Sequence, residues 1–252
     1  MTTEGRFFWD AEGYDRSTAR WSAQLARELV PWLGVRRDAR WLDVGCGTGV
    51  VTDAIMDLAW PGAVTGIDPS EAYLEAARRK VPGARFEVGD ATALPFPDAS
   101  FDAVVCSLVI AFVADPATAV AQMARVTAPG GFVGLVAWDP AEYLWHDYWE
   151  AAQEAGAPGG GPEQITDLPG LVGGAGLRDA QTRRITITVT FDGFDDYWQT
   201  LLGRKGHVAD HFASQPPATQ AAIRESVRLR VERKPGAKVP VAATAWAAKA
   251  RR

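Results

Sequence analysis

Cysteine is scarce in this chain. Cys46 and Cys106 are the only two among 252 residues. Each falls where a short apolar run ends, which argues against a disulfide-stapled scaffold and for a reducing compartment. Long apolar runs are missing as well. No stretch of about 18 apolar residues occurs, so no membrane-spanning helix is expected. The first ten residues, MTTEGRFFWD, lack the apolar core of a signal peptide, and the expected location is cytoplasmic. Nor is there a surplus of positive charge. The net charge is −5, which argues against a broad electrostatic footprint for nucleic acid or an anionic membrane. Histidine is rare too: His207 and His211 stand four apart, but no HExxH motif or cysteine partner accompanies them, and no metal site is expected. The remainder is ordinary globular material, 47% hydrophobic and 23% charged. The length suits one α/β domain, or such a domain with a cap.

The chain is organised around Trp41-Leu42-Asp43-Val44-Gly45-Cys46-Gly47-Thr48-Gly49. A short apolar run ends in three glycines at alternate positions, and a helical pattern starts at Val50. A buried strand that stops in such a turn presents backbone N–H groups at the start of the next helix, a generic nucleotide cradle. Around it the pattern alternates. A helix is expected over 16–33, with Trp21, Leu25, Leu29 and Trp32 at three- and four-residue spacing. Strands are expected at 40–45, 63–68, 84–89, 101–106 and 132–138. Helices are expected over 50–58, from an N-cap at Ser70 to Lys80, and from Asp115-Pro116 to Val126. Short, nearly all-apolar strands separated by helices predict a parallel sheet covered on both faces.

After Trp138 the composition shifts to glycine, proline and aromatics. Ile185, Ile187, Val189 and Phe191 then alternate with Thr186, Thr188 and Thr190, the mark of a strand. Helices from Phe194 and over 217–231 follow, and a last strand is expected over 239–248. We therefore expect one domain over 1–252. It comprises an N-terminal lid helix (1–34), a core (35–138), cap insertions (139–177 and 192–238) and last strands (178–191 and 239–248).

Ligands of such sheets bind beyond the carboxyl ends of the strands. Three features fall there in order: the glycine turn with Asp43 just before it, then Asp68, 19 residues after Gly49, then Asp90 followed by Ala91. A carboxylate at the end of a second strand can accept from both ribose hydroxyls of an adenosine. One at the end of the third can accept from an adenine amine. Simpler roles stay open for each. Asp43 could bond the N–H groups of its own turn, Asp68 could stabilise a helix start, and Asp90 could be a plain loop residue. Cys46, at a helix start, could carry a reactive thiolate.

With these residues in view, segment 41–138 resembles the class I S-adenosylmethionine-dependent methyltransferases, in particular the group that contains the ubiquinone and menaquinone biosynthesis methyltransferases. The resemblance lies in LDVGCGTG at 42–49, GIDPS at 66–70, GDATALPFPDASFDAVVCS at 89–107 and APGG at 128–131. It implies an α/β, Rossmann-like, doubly wound seven-stranded sheet with an antiparallel last strand and helical cap insertions. It implies S-adenosyl-L-methionine as cofactor. Gly45, Cys46, Gly47 and Gly49 would line its methionine moiety, with Asp43 close to the amino group. Asp68 would hold the ribose, Pro69 would lie beside the adenine, and Asp90 and Ala91 would read the base. Cys106 and Ser107 would supply backbone near the methionine and the substrate. Tyr14, on an N-terminal helix, would close the pocket, although it could also simply pack on the core.

The methyl acceptor has to be inferred from the cap. Trp138, Tyr143, Trp145, Tyr148, Trp149, Tyr197 and Trp198 fall in or beside the insertions. Such a set suits a small apolar or aromatic acceptor, methylated on oxygen or carbon, but it also suits mere packing of a cap. His146 is the candidate general base. The arginines of 224–233 alternate with glutamates and read as a solvated helix face. A monomer or homodimer is expected, without nucleic acid or membrane partners. Two other readings compete: a binder of the same cofactor that transfers nothing, and a nucleotide-dependent oxidoreductase. Val50 counts against the second, because it stands where GxGxxG needs its third glycine.

Overall fold

The computed structural model describes residues 18–159, 167–202 and 207–252. Tyr14 and the Phe7–Trp9 cluster lie outside the described residues, as does the side chain of His207. The elements follow the expected alternation: α1 (Ala19–Leu33), β1 (Arg40–Val44), α2 (Val50–Leu58), β2 (Ala63–Asp68), α3 (Glu71–Lys80), β3 (Arg85–Val88), β4 (Phe101–Ser107), α4 (Pro116–Val126) and β5 (Thr127–Trp138). They continue with α5 (His146–Glu154), α6 (Leu168–Gly174), β6 (Arg178–Phe191), α7 (Phe194–Leu202), α8 (His207–Ala213), α9 (Pro217–Val231) and β7 (Val239–Arg251).

The seven strands form one sheet in the order β3-β2-β1-β4-β5-β7-β6. β1 pairs in parallel with β2 and β4, as do β2 with β3 and β4 with β5, whereas β7 runs antiparallel to β5. The chain thus winds outward from β1 to β3, then crosses back to place β4 on the other side of β1. That crossing opens a crevice at the carboxyl ends of β1 and β4, the usual ligand position of doubly wound sheets.

The chain divides into two compact units. Among the described residues, the larger takes 22–138, 167–185 and 245–252, and the smaller takes 18–21, 139–159 and 186–244. In the larger unit the core joins Leu42, Val44, Ile67, Val104, Val120, Met123, Val133 and Leu135. Local signals start its helices where the sequence predicts. The Ser70 hydroxyl accepts from the Tyr73 N–H, and the Asp115 carboxylate accepts from the Thr118 N–H at 3.0 Å, with Pro116 in the first turn. Residues 168–174 depart from the expected insertion. Leu168 and Val172 of α6 are buried in the sheet's own core, so α6 is a covering helix of the larger unit. The Arg125 side chain holds the Pro-rich loop before β4. The Arg125 guanidinium donates to the carbonyls of Leu94 (2.8 Å) and Phe96 (2.7 Å) and to the Asp98 carboxylate (2.9 Å).

In the smaller unit the aromatics pack on one another. Phe194 stacks on Trp198, Trp198 meets Phe212 edge-on, and Phe191 meets Tyr197. The arginines of α9 pair with neighbouring carboxylates, Arg228 with Glu225 and Glu232, and Arg230 with Glu150 and Glu154. Apart from the part-buried Arg228–Glu232 pair these are solvent-facing pairs, each worth little, and they account for the charge run as a largely solvated face. No helix among the described residues is long and apolar enough to cross a membrane.

Gly66 shows how tightly β2 is packed between the β3 side chain of Phe86 and the glycine turn. A Cβ there would lie 2.7 Å from the Phe86 ring and 2.8 Å from the Cys46 sulfur. Gly66→Ala should lower stability by about 1–3 kcal/mol through overpacking, read as a lower urea midpoint with an unchanged slope.

Candidate functional site at the carboxyl edge of the sheet

The register fixes what meets at the carboxyl edge. Val44 is level with Ile67, and Asp68 with Val88, so the glycine turn, Asp68 and the Gly89–Asp90 corner stand side by side, one strand apart. Strands about 4.8 Å apart place these groups within reach of a single ligand. On the other side of β1, β4 brings Cys106 and Ser107 to the same edge, level with Leu135 and Val136 of β5.

The turn is knit to β2. Gly45 and Cys46 both donate to the Ile67 carbonyl, at 2.7 and 3.1 Å, and Gly49 closes the turn on the Cys46 carbonyl at 2.9 Å. All three glycines adopt left-handed φ, 72°, 53° and 82° for Gly45, Gly47 and Gly49, a region costly for other residues. Their surroundings differ. A Cβ on Gly45 would collide with Val109, and one on Gly49 would press on Ala77, whereas nothing lies within 4 Å of the place a Cβ of Gly47 would take. The turn is packed from below and open at its middle, as a cradle for a ligand must be.

Asp68 joins the parts. Its Oδ2 accepts from the Gly47 N–H at 3.0 Å and its Oδ1 from the Ser70 N–H at 2.9 Å. Burial raises the pKa of its carboxyl, and the two N–H donors oppose that rise. A carboxylate oxygen has two lone pairs, so each oxygen retains capacity for a further donor. Asp43 is almost fully buried at the end of β1 and accepts from the Thr52 hydroxyl at 2.7 Å. Burial lifts its pKa to about 7; the Thr52 bond opposes the shift and the Asp68 charge adds to it. Asp43 therefore bonds the first turn of α2 rather than the glycine N–H groups. Asp90 is exposed, and its Oδ1 accepts from the N–H and hydroxyl of Thr92 at 2.7 and 2.6 Å. Its Oδ2 has no partner among the described residues. Pro69 is exposed, and Ala91 is half-buried.

The two cysteines are free and buried. Cys46 packs among Leu74, Ala77, Val81 and Phe86. Burial pushes its thiol well above the ordinary range, and that of Cys106 up to about 12. Neither is a reactive thiolate at neutral pH. His146 belongs to the smaller unit, where its Nε2 lies 3.3 Å from Glu150 one helical turn on. No group of three His, Cys, Asp or Glu side chains among the described residues is arranged to hold a metal ion.

Several participants escape sequence reasoning. Thr52 is an unremarked helix residue until its hydroxyl meets Asp43. Leu108 follows β4 with a left-handed φ of 61°, while Val109 packs under Gly45. His211, singled out by its spacing from His207, has a different partner: its Nδ1 lies 2.7 Å from the Tyr148 hydroxyl. The donor set at the carboxyl edge fits the adenosyl cofactor that the resemblance implies. It offers carboxylates with spare capacity and an open glycine backbone, with the Lys80 ammonium donating to the Thr48 hydroxyl of the turn at 3.3 Å.

Comparison with known proteins agrees. Residues 42–135 match the family model described as a methyltransferase domain. An uncharacterized methyltransferase of Schizosaccharomyces pombe is 36% identical over 133 residues, 48% of each chain. A demethylmenaquinone methyltransferase of Renibacterium salmoninarum is 41% identical over 114 residues, 45% of this chain and 46% of that one. The matches thus span about half the length of these curated relatives. Among solved structures, the YcgJ protein of Bacillus subtilis superposes with a TM-score of 0.60 over 91% of this chain and 98% of that one, at 18% identity, which shows the fold.

The Asp43 environment has a testable consequence for stability. Its folded pKa, about 7, lies above the ordinary 3.8. Between these values the native state holds more protons than the unfolded one, so stability falls as pH rises through that window. Asp43→Asn keeps an acceptor for Thr52 and removes the titration. Relative to this variant, the wild type should lose unfolding free energy from about pH 4 to pH 7 and no more above it, measured by urea unfolding. A constant difference across that range would contradict the assignment.

Proposed function

We propose that this chain, which carries a class I S-adenosylmethionine-dependent methyltransferase domain, transfers the cofactor's methyl group to a small apolar or aromatic acceptor, on oxygen or carbon. One observation carries the reading: Asp68 holds the glycine turn by one oxygen and the start of α3 by the other, with Gly47 open above it. When bound, the cofactor supplies an electrophilic methyl group on a sulfonium, and the protein's part is orientation.

Each residue at the edge then has a task. Asp68 would use its remaining lone pairs for the ribose hydroxyls, with Pro69 beside the adenine. Asp90 would offer its free Oδ2 to the adenine amine, and Ala91 its N–H to a ring nitrogen. Gly45, Cys46, Gly47 and Gly49 would border the methionine moiety, since no side chain there may intrude. Asp43 would answer the amino group, and the backbone of Cys106 and Ser107 would flank the methionine end. Tyr14 is the proposed aromatic closure from the N-terminal segment.

Holding donor and acceptor in line supplies much of the rate in such a displacement, without a covalent enzyme intermediate. A base is needed only for a poor nucleophile such as a phenol or an activated carbon. His146, with Glu150 to orient it, is the proposed group for that proton. Support for an apolar or aromatic acceptor comes from the aromatic content of the smaller unit, where Tyr143 and Trp149 are half-buried. It comes also from a relative named for demethylmenaquinone.

Calorimetric titration with S-adenosylmethionine and with NAD tests the reading. The chain should bind the first and not the second. Asp68→Ala should weaken binding by about 10–100-fold, as expected for lost hydrogen bonds to a charged group, with a folded far-UV spectrum. NAD binding without S-adenosylmethionine binding would overturn the assignment. Because Asp43 must ionise to meet an ammonium group, affinity should rise from pH 6 to pH 8, and binding should release protons to the buffer near pH 7. Asp43→Asn should abolish both effects.

A further inference from the structure

The larger unit has a second recess, at the amino edge of the parallel strands. A cleft of about 280 Å³ is lined by Gly34, Arg36, Asp102, Gly131, Phe132 and Arg251, among others. Asp102 is the second residue of β4, Gly131 lies in the first half of β5, and Arg251 ends the antiparallel β7. The cleft therefore stands roughly a strand's length from the glycine turn, about 15 Å at some 3.3 Å per residue.

Two guanidinium groups meet one carboxylate here, and a third stands beside them without one. Arg36 and Arg40 both pair with Asp102, at 3.2 and 3.1 Å. Arg251 has no acidic partner among the described residues. It lies over the Phe132 ring, 4.1 Å from the centroid, and donates one N–H to the Gly130 carbonyl at 3.0 Å. Ring and carbonyl hold the guanidinium in place, yet four of its five donors are left over. Arg36 uses its two terminal nitrogens on Asp102 and the Arg37 carbonyl and retains further donors. Among the residues that line the cleft the balance is two positive charges, Arg36 and Arg251, to one negative, Asp102, in a chain whose net charge is −5. A concentrated positive recess on an acidic protein draws anions selectively, and forked guanidinium donors match phosphate oxygens. The wall is also made for close approach. Gly34 and Gly130 take left-handed φ, and a Cβ on Gly131 would lie 2.6 Å from the Asp102 carbonyl.

We propose that this cleft is a binding site for a small soluble phosphate monoester, held between Arg251 and Arg36 at the edge of the sheet opposite the cofactor. The guanidinium donors left over on Arg251 and Arg36 match the oxygens of a phosphate group. The volume exceeds that of phosphate alone and admits a short organic part. The site is independent of the methyl-transfer chemistry.

The test is calorimetric titration of the whole chain with inorganic phosphate and with glycerol 3-phosphate, at matched ionic strength. Saturable binding of glycerol 3-phosphate, tighter than that of phosphate, is expected. Arg251→Met keeps the side-chain stem over Phe132, and Arg36→Met lies at an exposed position. Each should weaken binding at least about tenfold and leave S-adenosylmethionine affinity within twofold. No saturable binding, or variants that bind as the wild type does, would overturn the proposal. Capture on phosphatidate vesicles without a response to glycerol 3-phosphate would also overturn it, assigning the arginines to a lipid headgroup. Loss of S-adenosylmethionine binding by the wild type itself would refute the functional reading and leave this one standing.

Discussion

The Asp68 carboxylate is the joint on which the candidate site depends. It is buried at the end of β2, where an unsatisfied charge would be costly, and its two oxygens are met by backbone N–H groups from two different loops. One belongs to the glycine turn after β1, the other to the start of α3. A single side chain thus sets the distance between the cradle and the neighbouring helix. The same burial that makes the carboxylate expensive to charge makes each added donor more effective. A ligand that brings hydroxyl groups to Asp68 completes a partly satisfied centre.

Much of the larger unit was legible in the sequence. Apolar strands of four to seven residues, glycine at the turns and capping residues at Ser70 and Asp115 each carry a local cause, and the structure places strands and helices accordingly. The order of acids along the chain gave the order of acids along the sheet edge, because each βα unit delivers the end of its strand to the same side. The reading weakened where causes are not local. Residues 168–174 lie among glycines and prolines and looked like part of an insertion, yet Leu168 and Val172 find a hydrophobic partner in the core beside Val120 and Met123. β5 begins at Thr127, earlier than the apolar run from Phe132, because β4 pairs with it across an irregular register.

Side-chain roles were less visible than positions. Asp43 was expected to serve either the cofactor or its own turn, and it bonds Thr52, a contact set by how α2 packs rather than by any motif. Cys46 had two readings in the sequence, and the pocket of Leu74, Ala77, Val81 and Phe86 decides between them, since a thiol so enclosed stays protonated. The aromatic residues after Trp138 belong largely to the smaller unit's own core; only neighbours far apart in sequence reveal that.

Leu108 forms the bend that follows β4. A leucine with a φ of 61° sits in a conformation that costs a non-glycine residue about 1–2 kcal/mol. Its N–H donates to the Val136 carbonyl at 2.9 Å, and the next residue, Val109, fills the space under Gly45 that a Cβ would otherwise claim. The bend after β4 is thus kept against its intrinsic preference by what lies on either side of it. The floor of the glycine turn is preset before any ligand arrives, so a bound molecule meets a surface already shaped and need not spend affinity on shaping it.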